Sequence, residues 1–201
     1  MLQPIPAGFS RPVFESQGVF RVILQAMSHP GQVVPMPVHP RGPLNWPGAM
    51  AAAVLTLCDM DTPLWLDPVA GTSEALRFVR FHCGSPVVDA PRKAAFAVIL
   101  DPENMPDLEA FSSGSAEYPE RSATVLLSVP TSAPQDRSII LHGPGVAGRN
   151  ELPRNWLPEG FTDRWQFNFG LFPRGVDVIL AGEDFVVGLP RTVNMEEEPC
   201  M

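Results

Sequence analysis

Two carboxylates one residue apart are the first side chains in this sequence that could carry chemistry. Asp59 and Asp61 follow the apolar residues 49–57, and Thr62 comes directly after them. In one large class of phosphatases, an Asp-x-Asp pair after a strand holds Mg²⁺ and attacks phosphorus, but there the threonine or valine stands one place later. The spacing therefore favours a turn in which Asp59 ends a helix and residues 61–63 lead into a strand. A phosphohydrolase that uses Asp59 and Asp61 is the alternative.

The single lysine of the chain bears on a second kind of chemistry. An enzyme that uses pyridoxal phosphate needs a lysine to form the Schiff base, and Lys93 is the only candidate. It lies at the entry to a predicted strand, and nothing around it suggests a phosphate-binding cup. We therefore expect no pyridoxal phosphate cofactor, and a pyridoxal enzyme built on Lys93 is the less favoured alternative.

The glycine-rich stretch, the histidines and the cysteines define no site by their spacing. Gly143 and Gly148 have the spacing of a phosphate loop, but Arg149 and Asn150 follow where that loop needs lysine and then serine or threonine. No two histidines are four residues apart, and the cysteines form no CxxC pair. The sequence thus predicts neither a metal site nor a disulfide framework, and it favours a reducing compartment. The residues concerned are His29, His39, His82, His142, Cys58, Cys83 and Cys200.

Arginine is the residue type in this chain that is best suited to bind a phosphate or carboxylate group. Its planar guanidinium donates two parallel hydrogen bonds to such an anion. The same side chains can instead form salt bridges, or lie along apolar surface with their charge in water. If the chain contains a pocket, we expect the polar members of its short motifs to line it. These candidates are Arg21, Ser28, Asp61, His82 and Arg191.

The composition favours one acidic globular domain. The chain has 201 residues, 45% of them hydrophobic, and a formal charge of −8. Its 14 lysine and arginine residues form no cluster, so nucleic acid binding is not expected. No apolar stretch reaches the roughly 18 residues that span a membrane, and the first residues do not resemble a secretion signal. We expect a cytoplasmic protein whose acidic end, residues 194–201, is solvated.

The periodicity of apolar residues predicts an α/β fold. Helices are expected at residues 14–27, at 49–57 and, capped by Thr72 or Ser73, up to residue 83. Residues 33–48 are too rich in proline for either element and predict an extended segment. A mixed β-sheet flanked by helices follows from this alternation. The further predicted elements are a strand at 62–66, strands buried on both faces at 94–100, 123–129 and 137–143, a short helix at 105–111, and a hairpin at 175–190 that turns at 182–184.

Seven short motifs in this order resemble one protein family, that of PhnH in the bacterial carbon–phosphorus lyase system. Each motif alone is weakly specific, whereas their order and spacing from about residue 14 to 192 are strongly so. They are F-R-x-x-L-x-A-M-S-x-P-G from Phe20 to Gly31, LTLCDMDTPLWL (55–66), RFH (80–82), GSAEYPERSATVLL (114–127), LHGPGV (141–146), FPRGVDVIL (172–180) and LPRT (189–192). Two departures are Cys83, where the family often has threonine, and the proline-rich segment 33–48.

The resemblance implies a role in phosphonate catabolism. PhnH-like proteins act with PhnG, PhnI and PhnL to form ribose 1-phosphonate 5-triphosphate, in a reaction that displaces adenine from ATP with an alkylphosphonate. They also belong to a core assembly with PhnG, PhnI and PhnJ, and they form homodimers when alone. Their fold is similar to that of pyridoxal-phosphate-dependent transferases but lacks the cofactor.

Three functional hypotheses follow from the residues and the resemblance together. The first is a binding or scaffolding subunit of the nucleoside-displacing system, with the catalytic centre mainly elsewhere. The second is a stand-alone enzyme, either the phosphohydrolase built on Asp59 and Asp61 or the pyridoxal enzyme built on Lys93. The third is a non-catalytic ligand-binding protein with a vestigial transferase fold. The acidic charge and the lack of a self-sufficient catalytic set in the sequence favour the first.

Overall fold

The protein is built from three layers around a central β-sheet. The structure is a computed structural model that describes residues 4–131 and 137–197. Three helices cover one face of a six-stranded sheet, and a fourth helix with a small three-stranded sheet covers the other. Side chains alternate between the two faces along the strands, so the sheet contributes to a hydrophobic core on each side. The predicted mixed sheet flanked by helices is confirmed.

The first three helices of the described chain begin and end close to where the sequence places them. In α3 the Thr72 hydroxyl oxygen accepts a hydrogen bond of 3.1 Å from the backbone N–H of Ala75, which confirms the predicted cap. Residues 49–54 of helix α2 are all buried. Their mostly small alanine side chains allow α1 and the sheet to pack closely against this helix. The helices are α1 (Pro12–Ser28), α2 (Gly48–Leu57), α3 (Ser73–His82) and α4 (Phe161–Gly170).

The central sheet has the strand order β1-β8-β7-β4-β3-β2. Strands β2, β3, β4 and β7 are parallel, and β8 runs against them. Strand β1 pairs antiparallel with β8 and therefore runs in the same direction as the parallel strands. We call the edge at which the parallel strands begin the amino edge. The hairpin of β7 and β8 confirms the predicted one. The strands are β1 (Val34–Pro35), β2 (Leu64–Leu66), β3 (Phe96–Ile99), β4 (Thr124–Ser128), β7 (Asp177–Ala181) and β8 (Phe185–Leu189).

A second, antiparallel sheet corrects two of the predictions. It contains β5 (Ser138–His142), β6 (Asn150–Pro153) and β9 (Asn194–Glu197), in the order β6-β5-β9. The prediction that β5 is buried on both faces is wrong, because only its alternate residues Ile139 and Leu141 are buried. The predicted solvated tail is wrong over β9, since that strand pairs with β5 and buries Met195. Residues 198–201 lie outside the described ranges.

Two further differences concern helices. The predicted short helix at residues 105–111 is only a 3₁₀ turn, Leu108–Ala110, because its buried residues Leu108 and Phe111 are three apart and suit three residues per turn. Helix α4 was not predicted, since its sequence is rich in aromatic and polar residues with weak helix propensity. It forms because Phe161 and Trp165 are fully buried against the sheet. No helix in residues 4–131 and 137–197 has both the length and the apolar character needed to cross a bilayer.

Candidate functional site

Arg191 joins three segments at the amino edge. It lies two residues after the end of β8, close to Asp177, the first residue of β7. Its backbone N–H and its Nε both donate to Asp177 Oδ1, at 2.8 and 3.1 Å, while Nη2 bonds to Asp177 Oδ2. Nη2 also donates to the Ser122 hydroxyl, and Nη1 donates to the Pro119 carbonyl at 3.0 Å. The side chain thus holds the segment before β4 against the start of β7.

The burial of this ion pair gives it a structural effect. The side chains of Arg191 and Asp177 are only 13% and 19% exposed. Each of these partly buried charges has lost most of its hydration by water, and the attraction of its partner offsets that loss. Four of the five N–H groups of the guanidinium are used, which leaves one N–H on Nη1 for a further acceptor. Phosphate binding by Arg191 stays a prediction, and it depends on that single donor unless the ion pair opens.

A cavity of about 210 Å³, which we call the Arg174 cavity, lies beside Arg191. The two are linked by Gly175, where an added Cβ would lie 3.4 Å from the Cβ of Arg191 and 3.1 Å from Asn168. Arg191 does not itself line the cavity, but at Gly175 the FPRGVDVIL and LPRT motifs meet next to a residue of its wall, Asn168. Its lining residues are Leu108, Glu109, Ser113, Phe167, Asn168, Leu171 and Arg174.

Hydrogen bonds to backbone groups fix the wall of this cavity. The buried Asn168 of α4 donates from Nδ2 to the Val176 carbonyl at 2.9 Å and accepts from the Val176 N–H at 2.7 Å. The N–H of Gly175 donates to the Ser113 carbonyl at 2.9 Å. The loop that carries Arg174 is thereby tied on one side to α4 and on the other to the segment before β4.

The sequence reasoning missed Arg174 and Glu109, the two charged residues of the cavity. Arg174 lies in the FPRG part of a motif, between a proline and a glycine, which is a signal that could have identified it. Glu109 lies in a segment that the sequence predicted only as a short helix. Both side chains are exposed, and within the described residues neither forms a hydrogen bond or an ion pair. The two opposite charges thus line one cavity without pairing with each other.

Ser28 lies at the end of α1 beside a smaller cleft of about 160 Å³. Its hydroxyl donates to the Gln25 carbonyl at 3.0 Å and lies 3.0 Å from His29 Nδ1. Its carbonyl is in close contact with Gly145, where an added Cβ would collide with the backbone. The motif that ends α1 and the LHGPGV motif therefore meet here. The cleft is lined by His29, Gln32, Gly145, Ala147 and Asn150.

Asp61 and His82 lie in neighbouring segments, whereas Arg21 does not join them. The Ser85 hydroxyl, just after α3, donates to the Thr62 carbonyl at 2.6 Å, so the end of α3 lies against the turn that contains Asp61. His82 Nε2 lies 2.8 Å from the Pro6 carbonyl, and its ring packs on Gly8. Arg21 is exposed on α1, and no hydrogen bond or ion pair to it is found within residues 4–131 and 137–197. The five candidate residues are therefore spread over at least three places.

The residues of the two stand-alone enzyme hypotheses lie in exposed turns. Asp59 Oδ1 accepts hydrogen bonds from the Asp61 N–H at 2.9 Å and from the Thr62 hydroxyl at 3.1 Å, which confirms the predicted turn. Lys93 ends the 3₁₀ turn Pro91–Lys93 and forms an exposed ion pair of 2.9 Å with Asp89. In the described ranges, no group of three or more His, Cys, Asp or Glu could hold a metal ion.

Two thiols lie close together behind the turn of Asp59. The backbone N–H of Cys58 donates to the Val54 carbonyl at 3.0 Å, and Cys83 Sγ reaches the same carbonyl at 3.8 Å. Burial raises the pKa of Cys83 to about 11, and the negative charge of Asp59 adds to that effect. Burial likewise raises the pKa of Cys58, with smaller contributions from Cys83 and Asp59. Both thiols are therefore protonated near neutral pH, the state of cysteines that pack rather than react.

The fold and its cavities define an α/β domain in which the loops that carry its short motifs meet at the amino edge and at the end of α1. The family model of the bacterial phosphonate metabolism protein PhnH matches residues 7–196, nearly the whole chain. The chain therefore belongs to the PhnH family, which confirms the resemblance found in the sequence.

Two relatives agree with this family. The chain is 35% identical over 190 residues to "Alpha-D-ribose 1-methylphosphonate 5-triphosphate synthase subunit PhnH" of Rhizobium meliloti (strain 1021), with 94% of each chain covered. It is 33% identical over 184 residues to "Putative C-P lyase subunit protein HtxG" of Stutzerimonas stutzeri, with 89% of this chain and 85% of that one covered. Both relatives are described as subunits of larger systems.

Proposed function

We propose that this chain is a subunit of the carbon–phosphorus lyase system of phosphonate catabolism. In that role it acts with PhnG, PhnI and PhnL to form ribose 1-phosphonate 5-triphosphate from ATP and an alkylphosphonate, with release of adenine. The observation that carries the proposal is the 35% identity to a synthase subunit over 94% of both chains. An identity at that level over the full length supports a shared position in the same kind of assembly.

The residues of the chain support a binding or scaffolding role rather than a complete active site. The guanidinium of Arg191 is largely used by Asp177, Ser122 and Pro119, and the other candidate residues lie apart from it. We therefore propose that the catalytic centre lies mainly in other subunits. We also propose that the chain is related in fold to the pyridoxal-phosphate-dependent transferases but does not use the cofactor, since Lys93 is exposed and paired with Asp89.

The proposed partners follow from the family. Alone, the chain is expected to form a homodimer, and with PhnG, PhnI and PhnJ it is expected to enter a core assembly in the cytoplasm. Neither nucleic acid nor a membrane is an expected partner. The net charge of −8 suits a partner subunit with basic surface better than another polyanion.

Native mass measurement of the full chain, alone and co-expressed with its PhnG-, PhnI- and PhnJ-like partners, tests this proposal. The expected result is a dimer alone and a stable larger assembly in co-expression. A deletion strain that regains growth on methylphosphonate when the chain is supplied would add the functional test. A chain that stays apart from every partner and does not restore growth would overturn the proposal. Phosphate ester hydrolysis by the isolated chain, lost in Asp61→Asn, would favour the phosphohydrolase instead.

A further inference from the structure

We propose that the Arg174 cavity binds a small zwitterion, with the acid group of the ligand at Arg174 and its ammonium group at Glu109. The inference begins with the two charges that line the cavity. The side chains of Arg174 and Glu109 have no hydrogen-bonding or ionic partner within residues 4–131 and 137–197, although both line the same cavity. A ligand that carries both charges would pair with each of them.

The charge balance selects the class of ligand. An anion alone would meet Arg174 favourably, but it would be repelled by the carboxylate of Glu109 across the same cavity. A cation alone would be attracted by Glu109 but repelled by Arg174. A molecule with one acid group and one amine is attracted at both ends, and the fork of the guanidinium suits a phosphonate or carboxylate. Ser113 also lines the cavity, and a serine hydroxyl is a further donor that suits the acid group.

The size and the apolar part of the cavity limit the ligand further. Pockets for drug-sized molecules have about 300–1,000 Å³, so a cavity of about 210 Å³ suits a smaller molecule. Leu108, Leu171 and Phe167 supply an apolar surface for a short aliphatic spacer. The ring of Phe167 can also attract an ammonium group over its face. A short aminoalkyl acid meets each of these conditions.

The rigid wall favours a defined separation between the two charges. Asn168 holds Val176 through two hydrogen bonds, and Gly175 is bonded to Ser113. Arg174 therefore projects from a backbone that is fixed on both sides. A preorganised site loses less entropy on binding, and it discriminates between ligands by the spacing of their charged groups.

In the context of the proposed function, on which this step rests, the acid group would be a phosphonate. The cavity would then take aminoalkylphosphonates, in which an amine and a phosphonate are joined by a short carbon chain. Glu109 would distinguish these from simple alkylphosphonates. The same charges would also accept an amino acid of similar length, so the test must separate phosphonate from carboxylate.

Calorimetric titration of the full-length chain tests the inference with three probes. These are 2-aminoethylphosphonate, ethylphosphonate, which lacks the amine, and β-alanine, which has a carboxylate in place of the phosphonate. We expect 2-aminoethylphosphonate to bind at least about 10-fold more tightly than ethylphosphonate, a difference of about 1.4 kcal/mol. Equal affinities for these two probes, or no heat of binding from 2-aminoethylphosphonate, would overturn the inference.

Charge-neutral variants locate the site. Glu109→Gln should lower the affinity for 2-aminoethylphosphonate to that for ethylphosphonate, and Arg174→Gln should abolish binding of both. Both residues are exposed, so neither change should impair folding, which a melting curve checks. Arg92→Gln and Glu103→Gln, which are also exposed but do not line the cavity, serve as matched controls. Unchanged binding in Arg174→Gln or Glu109→Gln would place the ligand elsewhere and contradict the inference.

The outcomes separate this inference from the proposed function. A chain that binds 2-aminoethylphosphonate but joins no assembly keeps the inference and loses the proposed function. A chain that joins the assembly and restores growth on methylphosphonate but shows no preference for the amine keeps the function and loses the inference. Tighter binding of β-alanine than of 2-aminoethylphosphonate would support a zwitterion site and remove its link to phosphonates.

Discussion

The guanidinium of Arg191 and the carboxylate of Asp177 form a two-point ion pair that joins the end of β8 to the start of β7. The backbone N–H of Arg191 adds a third bond to the same carboxylate. The guanidinium also bonds to Ser122 and Pro119. One side chain therefore holds together the end of β8, the start of β7 and the segment before β4. The geometry of the amino edge therefore depends on this pair.

Breaking this pair from one side should be costly for stability. Arg191→Ala leaves the carboxylate of Asp177 partly buried without its partner, and removal of one member of a buried pair costs about 3–5 kcal/mol. Arg191→Lys keeps the charge but loses the fork, so it should fall between alanine and the parent. Urea unfolding measures these free energies. The double variant Arg191→Ala, Asp177→Asn should lose less than the sum of the single changes, and a strictly additive result would show that the two residues do not depend on each other.

A close contact between α1 and β8 gives a second prediction. An added Cβ at Gly188 would lie 2.7 Å from the Met27 nitrogen and closer still to the Ala26 carbonyl. Gly188→Ala should therefore push α1 away from the sheet and lower the free energy of unfolding by about 1–3 kcal/mol or more. Gly170→Ala is the control, since no atom outside its chain neighbours and its own helix backbone lies within 4 Å of the added Cβ. It should change stability by less than about 1 kcal/mol. Thermal melts of the two variants that coincide would refute this explanation.

Local patterns in the sequence were sufficient to predict most strands of the central sheet and the helices on one of its faces. The apolar spacing of residues 14–27 and the alanine-rich residues 49–57 predicted α1 and α2, because α1 buries one face and α2 buries most of its length. The apolar runs rich in β-branched residues predicted β3 and β4, because consecutive residues of these strands are buried on both faces of the sheet. The pattern failed where tertiary contacts decide the structure. Strand β9 exists because Met195 fills the core beside β5, although the acidic residues around it are typical of a solvated tail.

The candidate sites were less predictable, because they depend on contacts between distant residues. Arg191 was singled out as a polar member of the LPRT motif, but nothing local in the sequence indicates that Asp177 and Ser122 bind its guanidinium. Glu109 and Arg174 line one cavity although they are far apart in the sequence, and the hydrogen bond from Gly175 to Ser113 links the two segments that carry them. A single sequence shows neither of these pairings, whereas the turn at Asp59 rests on neighbouring residues and was predicted.

A third prediction concerns Asp67, a buried carboxylate that the sequence reasoning did not single out. At the end of β2 it accepts hydrogen bonds from three backbone N–H groups, those of Ala70 on Oδ1 at 2.5 Å and of Leu100 and Asp101 on Oδ2 at 2.8 and 2.9 Å. In Asp67→Asn an amide nitrogen replaces one acceptor and faces at least one of these donors. A buried donor without a partner costs about 1–3 kcal/mol, which a urea titration would detect.

Asp61→Asn is the matched control for that change. The Asp61 side chain is exposed and accepts no hydrogen bond from the described residues, so its replacement should alter stability by less than about 0.5 kcal/mol. The same variant should support growth on methylphosphonate if Asp61 only shapes the turn. An Asp67→Asn protein as stable as Asp61→Asn would contradict the inferred role of the three backbone bonds.

The thiol of Cys83 gives a prediction about pH. Burial first, and then the charge of Asp59, raise its pKa from 9.0 to about 11 in the folded protein. The unfolded chain therefore releases this proton at lower pH than the folded one. The contribution of the protonated Cys83 thiol to the free energy of unfolding is fully present below about pH 9. It decreases as the pH rises from 9 towards 11. In this window the free energy of unfolding should fall more steeply in the parent than in Cys83→Thr, which has no thiol at that position.

Both proteins should carry Cys200→Ser, so that Cys58 and Cys83 are the only thiols of the parent. Comparing the parent with Cys83→Thr removes the pH effects that the two proteins share. A thiol reagent adds an independent measurement, because the thiolate is the reacting form. At pH 8 the folded parent should react far more slowly than the same protein in urea. Fast reaction at pH 8, together with parallel pH profiles for the two proteins, would show that Cys83 is neither protected nor shifted in the folded state.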